Sequence, residues 1–332
     1  MKKILTLLAM LTLTLGAFAY GETGMKFVGK SNFSVAGGMA SVDVESDTIT
    51  YIGGRTSASF VIPSMSYNMG PKTMTIPSFQ IDNTTFTGGY GGVTWPEQTF
   101  SLTASDGKAI TGTSLSGTFT HGDGLYNLQL TITFIYGSMP MPITYTINGY
   151  YVKETIGKLD VTIGGAYTYS AENATYATRL YKDGEEVKMD VAVPAYTLSA
   201  TMMGDLTIGS YTVKGLNYDA AQGGYFRDYS NDGLTMYFSN GTTMNKDYDL
   251  NKPGHTILVK LDGTTVTSVV NNFQPGNMPF AITSTFPGTT SGITAPTTSE
   301  GQRSAAYNLS GQQVSPATKS LVIINGKKYL NR

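Results

Sequence analysis

Hydrophobic and polar residues alternate with a period of two along most of this chain, in short runs broken by Gly, Pro, Asn and Asp. In the cleanest run, Leu128, Leu130, Ile132, Phe134 and Tyr136 fall on one side, and Gln129, Thr131 and Thr133 on the other. Such spacing lays one face of a β-strand against a core and the other toward water. Asp106-Gly107, Asp183-Gly184 and Asp262-Gly263 interrupt the runs with the two-residue signature of a hairpin. No stretch repeats its apolar positions at helical spacing, so the pattern predicts antiparallel β-structure.

The pattern also occurs twice. Met74-Thr-Ile-Pro-Ser-Phe-Gln-Ile81 and Leu206-Thr-Ile-Gly-Ser-Tyr-Thr-Val213 share one grammar, with Ile76 and Ile208 standing 132 residues apart. In each copy the alternation slips by one at Pro77-Ser78 or Gly209-Ser210 and then resumes, which reads as a β-bulge or bend within one strand. Ile62-Pro63 answers Val193-Pro194, and Gly88–Gly92 answers Gly223-Gly224-Tyr225. Thr133–Ile143 answers Asn272–Ile282 at a spacing grown to 139, which places the extra residues around 217–252. Matching landmarks in one order predict two domains of one build, residues 24–151 and 152–288. Each offers about eight short strands, closed into a barrel or folded as a barrel-like sandwich. The expected fold class is therefore all-β, with two such antiparallel units in tandem. Residues 289–303, rich in Thr, Ser, Gly and Pro, read as a linker. Tyr307–Val314 and Leu321–Tyr329, with a turn at Asn325-Gly326, predict a small β element over residues 304–332.

Composition narrows the function classes. Charged residues make up 14% of the chain, against about 25% in ordinary soluble domains. A net charge of −1 gives no electrostatic attraction to nucleic acid. The chain has no cysteine, hence no disulfide framework and no thiolate metal site. Lys2 and Lys3, the apolar run Ile4–Leu15 and Ala17-Phe18-Ala19 have the form of a secretory signal peptide over residues 1–19. No later run is long and apolar enough for a transmembrane helix.

Candidate chemistry is sparse. His121 and His255 sit beside glycines in turn-like contexts and are expected at the surface. No nucleophile elbow is present, and Gly89–Gly92 follows no βαβ pattern. Asp228–Gly233 places oxygens at alternate positions like a calcium loop, but Ser239 stands where a bidentate Glu belongs, so a solvated loop is expected. The expectation is no enzyme, no cofactor and no metal. Tyr90, Trp95, Tyr225, Phe226 and Tyr229 lie in or beside the glycine-rich loops of the two copies. Two readings stand for them: at a barrel mouth they stack on a sugar or close over an apolar ligand, or they plug the barrel end as core.

A family resemblance rests on Gly157-Lys-Leu-Asp-Val-Thr-Ile-Gly-Gly165, the strand ending at Val193-Pro194, and Gly204–Gly215. These resemble the calycin-like domains of secreted and surface proteins of gut anaerobes, and the first copy resembles them through Ile62-Pro63 and Met74–Ile81. The resemblance implies a small antiparallel barrel related in shape to lipocalins. The only tryptophan, Trp95, lies mid-domain and not in the opening strand. Tyr307-Asn-Leu-Ser-Gly-Gln-Gln-Val314, with Leu321–Ile324 and the basic end after it, is similar to type IX sorting segments, which implies export or cell-surface machinery as a partner. The expected function is a secreted, non-enzymatic binding protein for a small hydrophobic or carbohydrate ligand. The alternative is a structural or adhesive surface protein with filled barrels and protein partners. Interior space above ~300 Å³ separates the two.

Overall fold

The computed structural model describes residues 24–288 except 55, 70, 71, 90 and 123, and within the C-terminal segment residues 306–307, 313–314, 321–324 and 327–330. The signal-peptide and linker expectations lie outside the described residues. Two compact units divide the chain, residues 1–289 and 290–332.

In the first unit the alternating runs become strands of two closed rings. The first ring is built from β1 (Met25–Val35), β2 (Ala40–Gly53), β3 (Ser57–Ile62), β6 (Phe79–Thr85), β8 (Gly92–Thr103), β9 (Ala109–Gly122), β10 (Leu125–Tyr136) and β11 (Ile143–Ile163). Neighbours pair antiparallel in the order β6-β3-β2-β1-β11-β10-β9-β8. The last gap, between β6 and β8, is closed by a side chain. Thr85 N–H donates to Gln98 Oε1 and Gln98 Nε2 donates to Thr85 O, both at 2.9 Å. A short hairpin, β4 (Met65–Met69) with β5 (Lys72–Ile76), sets Met65, Tyr67 and Ile76 into the same core. The strand β7 (Thr87–Gly89) pairs with the start of β8, so the glycine-rich stretch is a tight hairpin.

The second ring starts in the strand that ends the first. β11 is 21 residues long, and the expected boundary at 151/152 falls inside it. Its first part pairs with β1 and β10, and its last part with β12 (Tyr167–Asp183) and β22 (Ile282–Phe286). The ring continues through β13 (Glu186–Val193), β16 (Tyr211–Asp219), β17 (Gly224–Asp228), β20 (Thr256–Asp262) and β21 (Thr265–Phe273), and closes by ladders throughout. A four-stranded sheet of β14 (Tyr196–Thr201), β15 (Gly204–Ile208), β18 (Thr235–Ser239) and β19 (Lys246–Asp249) covers this ring with Tyr196, Leu198, Leu206, Ile208, Met236 and Phe238. β18 and β19 lie within the stretch expected to carry the extra residues.

One expectation is corrected in both rings at once. The slip at Pro77-Ser78 and at Gly209-Ser210 is a break between two strands. Before it the chain belongs to a small sheet (β5, β15), and after it to the ring wall (β6, β16). True bulges lie a few residues on, where β6 and β16 shift register against β3 and β13. Asn83 and Gly215 sit there with φ of 57° and 68°, a left-handed backbone that Asn tolerates and Gly adopts freely. In the C-terminal unit β23 (Ala306–Tyr307), β24 (Gln313–Val314), β25 (Leu321–Ile324) and β26 (Lys327–Leu330) form a small antiparallel sheet, the predicted β element.

Candidate functional site

The aromatic candidates do not converge on one mouth. Tyr90 lies outside the described residues. Trp95 is 1% exposed and packs edge-on against Tyr51, Phe60 and Phe86, with ring centroids 5.1–5.9 Å apart. Its buried indole N–H has no hydrogen-bond partner. Tyr225 is half-buried on the rim of the second core, edge-on to Tyr218 at 5.5 Å. Phe226, next in a strand, points the other way and lines an outer hollow of about 600 Å³ with Asn217, Tyr218 and Arg227. Tyr229 is fully buried. Of the two readings, Trp95 and Tyr229 follow the core one: alternation in β8 and the turn after β17 aim both rings inward.

His255 corrects another expectation. It is 1% exposed, its ring stacked on Tyr229 at 5.7 Å. Its Nε2 lies 2.9 Å from Gln274 N and 3.2 Å from Gln274 O, and its buried Nδ1 has no partner. His121 is half-exposed and stacked on Tyr126. The calcium-like loop is occupied by protein. Arg227 holds Asp232 through two hydrogen bonds of 2.8 Å, and Asp228 Oδ1 accepts from Ser230 N–H and Oγ–H. Among the described residues no group of three or more His, Cys, Asp or Glu could hold a metal ion, and no helix is long and apolar enough to cross a membrane.

Tyr229 instead belongs to a buried polar cluster in the second ring. Tyr229 O–H donates to Asn271 Oδ1 at 2.8 Å, Asn271 Nδ2 donates to Tyr211 OH at 2.7 Å, and the two phenols meet at 3.2 Å. Three hydrogen bonds thus close a triangle, and the Tyr229 hydroxyl also lies 3.2 Å from the Asn272 carbonyl oxygen. Beside it, Tyr176 OH, Tyr196 OH and Ser284 Oγ are buried without partners. Tyr176 and Ser284 lie close enough to influence each other, but not in bonding geometry. Burial pushes all four phenols up, Tyr211 to about 12, so the cluster is uncharged at any physiological pH. No sequence signal marked Tyr176, Tyr196, Tyr211, Asn271 or Ser284. Only a comparison of matching strand positions in the two copies would have found them.

A second candidate lies outside the first ring. Two adjoining hollows of about 430 and 410 Å³ meet at Gln129 on the outer face of β10 and its neighbours. Asn127, Tyr150, His121 and Lys182 line the first, and Asn148, Thr131, Thr146, Asn32, Asp43 and Lys30 the second.

Comparison with known proteins bears on the second ring. Residues 156–289 match the calycin-like beta-barrel domain family. The match begins inside β11 and ends just past β22, so the segment similar to that family is the ring holding the tyrosine cluster. No curated protein matches the chain. Among solved structures, a crystal structure from Bacteroides fragilis NCTC 9343, provisionally described as an outer membrane protein, aligns over 80% of this chain and 97% of that chain at 12% identity and a TM-score of 0.25. A likeness that low carries no argument about fold or function.

Proposed function

We propose that the protein is an exported, non-enzymatic surface protein whose barrels are filled and which meets its partners on its outer faces. The observation that carries this reading is the packing of both rings, Trp95 and Tyr229 included, by buried side chains. A ligand inside the first ring would have to displace aromatic core at the full cost of its packing. The signal-like N-terminus and the sorting-type tail support export. Native mass spectrometry of protein recovered from its own cells tests it, with the bare polypeptide mass expected.

A second reading has its own support. Calycin-like barrels often hold small hydrophobic ligands, and Tyr176, Tyr196 and Ser284 leave three buried hydroxyls unpaired in that ring. A small molecule retained at one copy per chain would favour this reading and sink the filled-barrel one.

A further inference from the structure

We infer that the outer face of β9, β10, β11 and β1 is a binding site for an uncharged oligosaccharide, an inference that rests on the outer-face reading and names the partner's chemistry. The register puts unlike strands side by side here. Gln129 stands opposite Thr118 on β9 and Asn148 on β11, and Asn148 stands opposite Lys30 on β1. Each of the two hollows is within the size range of small-molecule sites, about 300–1,000 Å³. They share Gln129, Asn127 is tied to Asn148, and so one occupant longer than a single ring would span both.

The amides are held in place. Asn127 Nδ2 donates to Asn148 Oδ1 at 2.7 Å and to Gly149 O at 3.0 Å, and Gln129 Nε2 donates to Asn127 Oδ1 at 3.3 Å. Those bonds leave the Asn148 N–H pair and the Gln129 carbonyl uncommitted to protein. Neighbouring donors and acceptors with fixed directions suit adjacent hydroxyls of a sugar, and holding them beforehand lowers the entropy cost of binding. Tyr150 supplies a ring face at one end for the C–H side of a pyranose.

Charge selects against the other occupants. Lys30 is paired with Glu45 at 2.8 Å, while Asp43 accepts from Asn32 and is offset by Lys182 at the far end. With formal charges that sum to zero across the two hollows, a phosphate or carboxylate gains little. Leu125 is the main apolar lining side chain, so a lipid or apolar helix has no surface to bury. The fold does not dictate this lining. In matching register the second ring carries Ser268 and Val270 where the first has Gln129 and Thr131, and Pro287 where it has Asn148.

The full chain would be titrated calorimetrically with hexamers of glucose (α- and β-linked), mannose, xylose and N-acetylglucosamine, and with oligogalacturonate as the charged probe. At least one neutral hexamer is expected to bind in the 10 µM–1 mM range with little dependence on salt. The double variant Gln129→Ala, Asn148→Ala should weaken it tenfold or more, and Ser268→Ala should leave it unchanged. Binding by none of the neutral hexamers, binding indifferent to the double variant, or tighter salt-sensitive binding of oligogalacturonate overturns the inference. None of these outcomes adds a small molecule to the native mass, so the filled-barrel reading stands or falls separately.

Discussion

Ladder positions let the two rings be laid over one another. Phe134 faces Ile143 across β10 and β11 as Phe273 faces Ile282 across β21 and β22. Counting back from there, Ile132 and Tyr145 of the first ring occupy the positions of Asn271 and Ser284 in the second. By the same registers Ile49 corresponds to Tyr176, Phe79 to Tyr211, and Met65 to Tyr196. One ring therefore fills its wall with aliphatic and aromatic side chains, and the other puts hydroxyls and an amide at matching points. Backbone pairing decides where a side chain goes, and the side chain decides whether the interior coheres by ring packing or by a closed hydrogen-bond circuit. A circuit tolerates few errors, because each buried group left unpaired costs about 1–3 kcal/mol.

The largest expected effect lies in the dry ring. Trp95→Ala removes the centre of an aromatic box and should cost about 3–5 kcal/mol, whereas an exposed mouth residue would cost under about 0.5 kcal/mol. Denaturation followed by circular dichroism, with hydrogen exchange at residues 92–103, reads the difference. A small loss would return Trp95 to the mouth and reverse the core assignment.

Alkaline pH should next separate the circuit from ordinary packing. Burial raises Tyr211 to about 12 in the folded chain, while an unfolded tyrosine ionises near 10. The folded state thus keeps a proton that the unfolded state releases. The stabilisation is complete below pH 10 and is lost as pH rises from 10 to 12, at about 1.4 kcal/mol per pH unit for each such phenol. Tyr145 in the first ring is raised too, by burial and then by Asp47, so a variant serves better than pH alone. Tyr211→Phe should flatten the slope of stability between pH 10 and 11 by that one increment. An unchanged slope would mean that the phenol titrates normally and that the cluster is open to water.

How much of this contrast could be read in the residues depends on which face they use. Leu128–Tyr136 was legible because one of its faces meets water and the other core. The slip at Pro77-Ser78 was visible, yet alternation cannot distinguish a strand that turns its face from a chain that leaves one sheet for another. His255 looked exposed because Pro253 and Gly254 precede it, and nothing local announces that Tyr229 covers its ring. Tyr176, Tyr196 and Tyr211 read as ordinary strand aromatics, since a phenol and a phenyl ring alternate alike. The amide face was hidden for another reason: Asn32, Gln129 and Asn148 become neighbours only once β1, β10 and β11 are in register.

Closure of the two rings differs as well, and the expected effect is smaller. Gln98→Ala removes both hydrogen bonds across the β6–β8 gap and should cost about 1–2 kcal/mol, since the freed Thr85 groups can turn to water. Exchange at Thr85 should quicken while the second ring, closed by ladders, stays protected. Equal protection of Thr85 in the variant would show that the gap is held by something other than this side chain.

The smallest change discriminates most finely. In the second ring Tyr229→Phe breaks the triangle and strands Asn271 Oδ1, so a loss of about 1–2 kcal/mol is expected. Tyr176→Phe removes a hydroxyl that no protein group holds, while the ring keeps its packing. Its stability should stay within about 0.5 kcal/mol of the parent, or rise, because the desolvated hydroxyl costs the folded state without a bond in return. Two buried tyrosines of the second ring would then differ only in whether their oxygen is used. If Tyr176→Phe instead costs as much as Tyr229→Phe, the Tyr176 oxygen has a partner that is not a protein group. The hydroxyls of the second ring would then be a binding feature, and filling would describe the first ring alone.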